Sequence, residues 1–236
     1  MYFSPIGFSA LLCLFFASTS CKQSGVKESF VHEPNREQDL EELVAGCVIC
    51  HGVTEAQRGP ILNGMDQWYL ADQINKFRYE IRGVNPDNRS EYLMGVGARK
   101  VKTDVESVYL ADWFSRQKPM PAIRTIRGDL EKGRNLYEQS CANCHAENGE
   151  GNQTLISPSL TRLEGWYFYQ QMRKFREGER GYDPRDEGGK VMAAVAKQLS
   201  DYDIRNVVAY CVEAFGLPEE EPPTQHPSSP KSRKPF

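Results

Sequence analysis

The chain has 236 residues, 39% of them hydrophobic and 26% charged, with 29 Lys+Arg against 32 Asp+Glu and a formal net charge of -3. That balance is ordinary for globular domains; it leaves room for two of modest size and excludes wholesale disorder or a multi-span membrane protein. Acidic and basic residues are interspersed, so there is no basic footprint and nucleic acid is not an expected partner.

The first twenty residues carry no charged side chain and include an apolar run over 11–17 that ends in Ser18, Thr19 and Ser20 before Cys21. The run is shorter than the ~20 residues a spanning helix needs, so 1–21 reads as an export signal, although its start lacks the usual Lys or Arg. Small residues before Cys21 fit a lipoprotein signal with membrane attachment through a lipidated Cys21. Simple secretion and an uncleaved N-terminal anchor are the other two readings, and all three place the domains beyond the inner membrane, in the periplasm.

Residues 22–36 are polar, include Pro34 and read as a tether. A first domain is expected over 37–117, with helical patterns at 39–45, 68–82 and 104–114. Pro119 and Pro121 interrupt any helix and mark a linker over 118–128. A second domain follows over 129–217, with helices at 129–139, 166–179 and 200–215, the last with an N-cap region at Ser200, Asp201 and Asp203. Residues 218–236 are rich in Pro and Glu and read as a disordered tail. No run alternates as a strand does, so the expected class is all-α.

The two domains repeat one another. Cys47, Cys50 and His51 recur 94 positions later as Cys141, Cys144 and His145. Beyond a short insertion the offset becomes 98 and pairs Pro60 with Pro158, Trp68 and Tyr69 with Trp166 and Tyr167, Arg78 with Arg176, and Met94 with Met192.

Each repeat holds a C-x-x-C-H motif: two thiols three positions apart reach the two vinyl groups of one haem, and the next residue, His51 or His145, is directed at the iron. Random placement of seven cysteines and four histidines would give about 0.003 such motifs, and here there are two. Zinc or redox readings of C-x-x-C leave the two following histidines unexplained. Two covalently bound haem c groups are therefore expected, on Cys47 and Cys50 and on Cys141 and Cys144, with each domain wrapped around one.

The sixth iron ligand decides between electron transfer and catalysis. His32 and His226 lie in the chain ends, so methionine is the candidate, and Met94 and Met192 recur in register. Met120, followed by Pro121, is the rival for the first haem; Met65 and Met172 read as packing residues. Pro60 and Pro158 are placed to offer a carbonyl to the proximal imidazole N–H, or else simply end a turn. Trp68, Tyr69, Arg78, Trp166, Tyr167 and Arg176 are candidate donors to haem propionates, against the plainer reading of packed aromatics and solvated arginines. Cys211 reads as a buried free thiol.

Taken together, the two C-x-x-C-H motifs, the Pro-x-Leu segments, the Trp-Tyr helices and the paired methionines resemble the dihaem cytochrome c4 family, tandem class I cytochrome c domains of bacterial periplasms, over residues 40–211. The second repeat is close to the family pattern around Met192 and the first is looser around Met94. The resemblance implies two His/Met haems facing each other across a domain interface in an electron carrier, with a quinol-oxidising complex and a terminal oxidase as redox partners. An electron-accepting subunit of a dehydrogenase complex, and a haem enzyme with a labile axial ligand, are the alternatives.

Overall fold

Glycine, capping and apolar spacing set the helices of the computed structural model, which describes residues 36–53 and 59–216. The export segment, the tether up to residue 35, the tail, Cys21, His32 and His226 lie outside the described residues. Among those described there is no strand, only an isolated bridge between Asn152 and Ser157. No helix among them is long and apolar enough to cross a membrane.

The first repeat is built from α1 (Arg36–His51), α2 (Gln67–Arg78), α3 (Arg89–Ala98) and α4 (Asp104–Ser115). The second is built from α5 (Leu130–Ser140), the short α6 (Ala142–His145), α7 (Gly165–Glu177), α8 (Glu187–Ala196) and α9 (Asp201–Phe215). Both haem motifs thus lie at the end of the first helical segment of their repeat. In the first repeat α1 runs unbroken through Cys47 and Cys50 to His51; in the second the helix breaks at Cys141.

Caps fix several starts. Ser200 and Asp203 form a reciprocal capping box on α9, Asp203 N–H donating to Ser200 Oγ at 3.1 Å and Ser200 N–H to Asp203 Oδ2 at 3.0 Å. Asp129 caps α5 and Thr103 caps α4 in the simpler way, accepting from Lys132 N–H and Glu106 N–H. Helices α3 and α8 are the elements that sequence pattern does not announce, because Gly95 and Gly97 in one and Gly188 and Gly189 in the other lower helix propensity. Gly95 is required by contact: a Cβ there would lie 2.5 Å from the Gly83 carbonyl oxygen.

The second repeat has the larger core. Helix α5 crosses α9 where a Cβ on Gly133 would come within 2.1 Å of Asn206 O, so glycine alone permits the approach. Around that crossing Tyr137, Leu160, Phe168, Met172, Phe175, Ile204, Val207, Val208 and the unpaired Cys211 are buried together. In the register of the haem motifs, Gly133 corresponds to Asp39, which cannot support so close a crossing. The first repeat accordingly buries two smaller clusters, Val44 with Val101 and Leu110, and Leu70 with Ala111 and Phe114. Arg78 adds polar closure, donating to the carbonyls of Val101 and Lys102 at 2.9 Å each and to Asp104 at 2.7 Å, which ties the end of α2 to the start of α4.

Candidate haem centres

Each histidine of the two motifs is held by one backbone carbonyl. His51 Nδ1 lies 2.7 Å from Pro60 O, and His145 Nδ1 lies 2.8 Å from Pro158 O. A ring whose Nδ1–H donates to a carbonyl is fixed in the tautomer that leaves Nε2 unprotonated, the nitrogen a metal would take. Burial pushes both imidazoles below their ordinary value; the Pro60 carbonyl and the Glu164 carboxylate work the other way at His51, and the Pro158 carbonyl does so at His145. Burial thus favours the neutral ring, the form that ligation requires. Gly59 lies against the first ring so closely that a Cβ there would be 2.4 Å from His51 Cε1.

The thiols follow the same burial. Cys141 is pushed up to about 11 by desolvation, with Cys144 beside it, and Cys47 is raised by desolvation and by Cys50. Cys144 is exposed, and Cys47, Cys50 and Cys141 are half-buried.

Met192, on α8, lines one cleft with His145 and Pro158, and Leu160, Phe168, Met172 and Phe175 supply its apolar walls. Met94 occupies the matching place on α3 and is half-buried. Met120 is 37% exposed and lines a different cavity, between the repeats, with Asp66, Arg162 and Glu164.

The aromatic pairs are alike in both repeats. Trp68 and Tyr69 meet edge to face at 5.8 Å and 68°, and Trp166 and Tyr167 at 5.8 Å and 71°. Two of their polar atoms are bonded at the seam between the repeats, where Tyr69 OH accepts from Arg180 at 3.1 Å and the Trp166 indole N–H donates to Glu164 at 3.2 Å. Arg176 reaches Asp201 at 3.5 Å, as Arg78 reaches Asp104.

Sequence pattern alone did not single out the charged seam itself. Arg82 forms a buried two-pronged pair with Glu91 and also donates to Gln73 and, at 3.3 Å, to Gln171. Arg180, its counterpart 98 positions on, donates to Gln171 at 2.8 Å and Gln73 at 3.0 Å. Lys76 meets Asp186 at 2.9 Å, and Lys174 meets Glu91 at 3.5 Å. The 98-position register that pairs Arg78 with Arg176 also pairs Gln73 with Gln171, Lys76 with Lys174 and Arg82 with Arg180, and was the signal available.

These residues fit haem. At the seam Arg82 and Lys174 pair with the buried Glu91, and Lys76 with the buried Asp186 and the half-buried Asp72, while Arg180 bonds only neutral partners. Arg180 Nε, buried at the seam end of the second cleft, has no hydrogen-bond partner among the described residues. An apolar slot closed by an unspent cationic donor suits a prosthetic group that is flat and apolar on one side and carries carboxylates on the other.

An all-α chain that repeats a C-x-x-C-H helix, a carbonyl-braced histidine and a methionine-bearing helix is a c-type cytochrome, with two covalent haem c groups. The Cytochrome c family profile matches residues 130–214. Cytochrome c4 of Stutzerimonas stutzeri is 30% identical over 178 residues, covering 71% of this chain and 83% of that one; cytochrome c4 of Azotobacter vinelandii is 28% identical over 177 residues, covering 70% and 83%. The crystal structure of reduced cytochrome c4 from Pseudomonas stutzeri superposes with a TM-score of 0.59 at 27% identity, over 76% of this chain and 97% of that one. The chain belongs to the dihaem cytochrome c4 family and is an electron carrier of the cytochrome c class.

Proposed function

We propose that the chain carries single electrons in the periplasm through two six-coordinate haems, the first held by Cys47, Cys50, His51 and Met94 and the second by Cys141, Cys144, His145 and Met192. The bound iron supplies the one-electron step between its ferric and ferrous states. The protein's part is to hold each imidazole in one tautomer, close both axial positions and exclude water, so that little reorganises as charge changes. The observation that carries this reading is that His145 and Met192 line one apolar cleft, with Met94 at the equivalent place in the first repeat.

At the seam Tyr69, Tyr167 and Arg180 are the groups best placed to receive propionates, because their polar atoms converge where Arg180 Nε lacks a partner. Trp68, Trp166, Arg78 and Arg176 hold the surrounding helices. As partners we propose a quinol-oxidising complex as donor and a terminal oxidase as acceptor. A second reading, an acceptor dedicated to one dehydrogenase, draws on a 28% identical relative named as a thiosulfate dehydrogenase electron acceptor.

Carbon monoxide binding and oxidase turnover test the proposal together. The ferrous protein is expected to leave carbon monoxide unbound at both haems and to be oxidised rapidly by membranes holding a haem–copper oxidase. Rapid binding at one haem, with peroxide or thiosulfate turnover, would replace the carrier by an enzyme.

A further inference from the structure

The seam is nearly two-fold symmetric, yet one equivalent pair breaks the symmetry beside a histidine. Asp66 and Glu164 stand 98 positions apart, each immediately before the central helix of its repeat. Glu164 is 3% exposed and crosses into the first repeat, where its Oε2 accepts the Ile61 N–H at 2.9 Å while its Oε1 accepts the Trp166 indole N–H at 3.2 Å. It forms no ion pair among the described residues, and both oxygens act as acceptors, as the ionised form does.

The Ile61 N–H belongs to the same peptide unit as the Pro60 carbonyl, which holds His51 Nδ1 at 2.7 Å. One rigid peptide is thus bonded at its N–H to a carboxylate and at its oxygen to the proximal histidine. An anion at the N–H end polarises the amide and enriches its oxygen, so the His51 Nδ1–H bond strengthens and the ring becomes a more basic ligand. On the other side the shorter Asp66 makes no side-chain cap bond to its helix, and among the described residues no carboxylate accepts from the peptide between Pro158 and Ser159.

We propose that Glu164, a positioning residue supplied by the second repeat, holds the first haem at a lower reduction potential than the second through the Pro60–Ile61 peptide, so that a single electron rests on the second haem. The proposal rests on His51 being the proximal ligand. A more basic ligand and a nearby negative charge both favour the ferric over the ferrous iron, so the two effects share one sign.

The test is spectroelectrochemical titration of the holoprotein, each haem followed through its own resolved haem-methyl resonances, for the wild type, Glu164→Gln and Asp66→Glu. Glu164→Gln keeps the shape and removes the charge. It is expected to shift the first midpoint upward, leave the second in place, and move the His51 Nδ1–H proton resonance to weaker hydrogen bonding. Asp66→Glu, which lengthens the counterpart toward Ser159, is expected to lower the second midpoint. Unmoved or equally moved midpoints in Glu164→Gln, with both methionine–iron absorption bands retained, would overturn the role of Glu164. If the wild type lacks the first of those bands, the ligation reading fails instead, so the two failures are distinguishable.

Discussion

Lys76 of the first repeat and Asp186 of the second form an ion pair at 2.9 Å with side-chain exposures of 11% and 4%. Asp186 is also the N-cap of α8, accepting Gly189 N–H at 2.9 Å. One carboxylate therefore joins the seam between the repeats to the helix that carries Met192. Burial opposes its charge, but Lys76 and the cap hold it below the ordinary aspartate range.

Asp186→Ala should therefore act on both stability and ligation. Lys76 keeps its second partner, Asp72 at 2.6 Å, so the lost charge-assisted bond costs about 1.5–3 kcal/mol, and the lost cap adds roughly 1 kcal/mol. Denaturant unfolding should show the loss, and the methionine–iron band of the second haem should fade at lower temperature than that of the first.

Acid should loosen the seam through Glu91. Burial works to raise this carboxyl, but the Arg82 guanidinium, with Arg180 and Lys174 nearby, outweighs it and brings the group from 4.5 down to about 2. A depressed carboxylate stabilises the fold above its unfolded value and loses that contribution as pH falls through the folded one. The loss, on the order of 3 kcal/mol, should fall between about pH 4.5 and 2. Thermal unfolding against pH should show this slope in the wild type and a flatter one in Glu91→Gln.

Two glycines make opposite predictions. Gly133→Ala would push a methyl against Asn206 O, where the Cβ stands 2.1 Å away, and should destabilise by about 2 kcal/mol or more. Gly97, exposed on α3, has nothing within 4 Å of such a Cβ, so Gly97→Ala should stabilise by up to about 1 kcal/mol. Guanidinium titrations of the two ferric variants check both.

The sequence made the class and the repeat plain because covalent haem attachment needs a fixed spacing that chance does not supply. The register of Cys47 with Cys141, and then of Trp68 with Trp166, carried the architecture along the chain. Helices α3 and α8 were hidden by their glycines, of which Gly95 is demanded by the close approach of the Gly83 carbonyl from a distant turn. The charged seam was hidden for a related reason. Arg82, Glu91, Arg180 and Asp186 look like solvated surface residues until the two repeats fold against each other and bury them. Glu164 was the least legible, because its meaning lies in a peptide N–H about one hundred positions earlier in the chain.

The most direct measurement is the near-infrared and visible spectrum of the ferric protein, with the methionine-sulfur-to-iron charge-transfer band quantified per haem, beside Met94→Ala, Met192→Ala and Met120→Ala. Two bands in the wild type, one lost in each of Met94→Ala and Met192→Ala and none in Met120→Ala, are the result predicted. A single band in the wild type, or loss of the first band in Met120→Ala, would contradict the paired His/Met assignment.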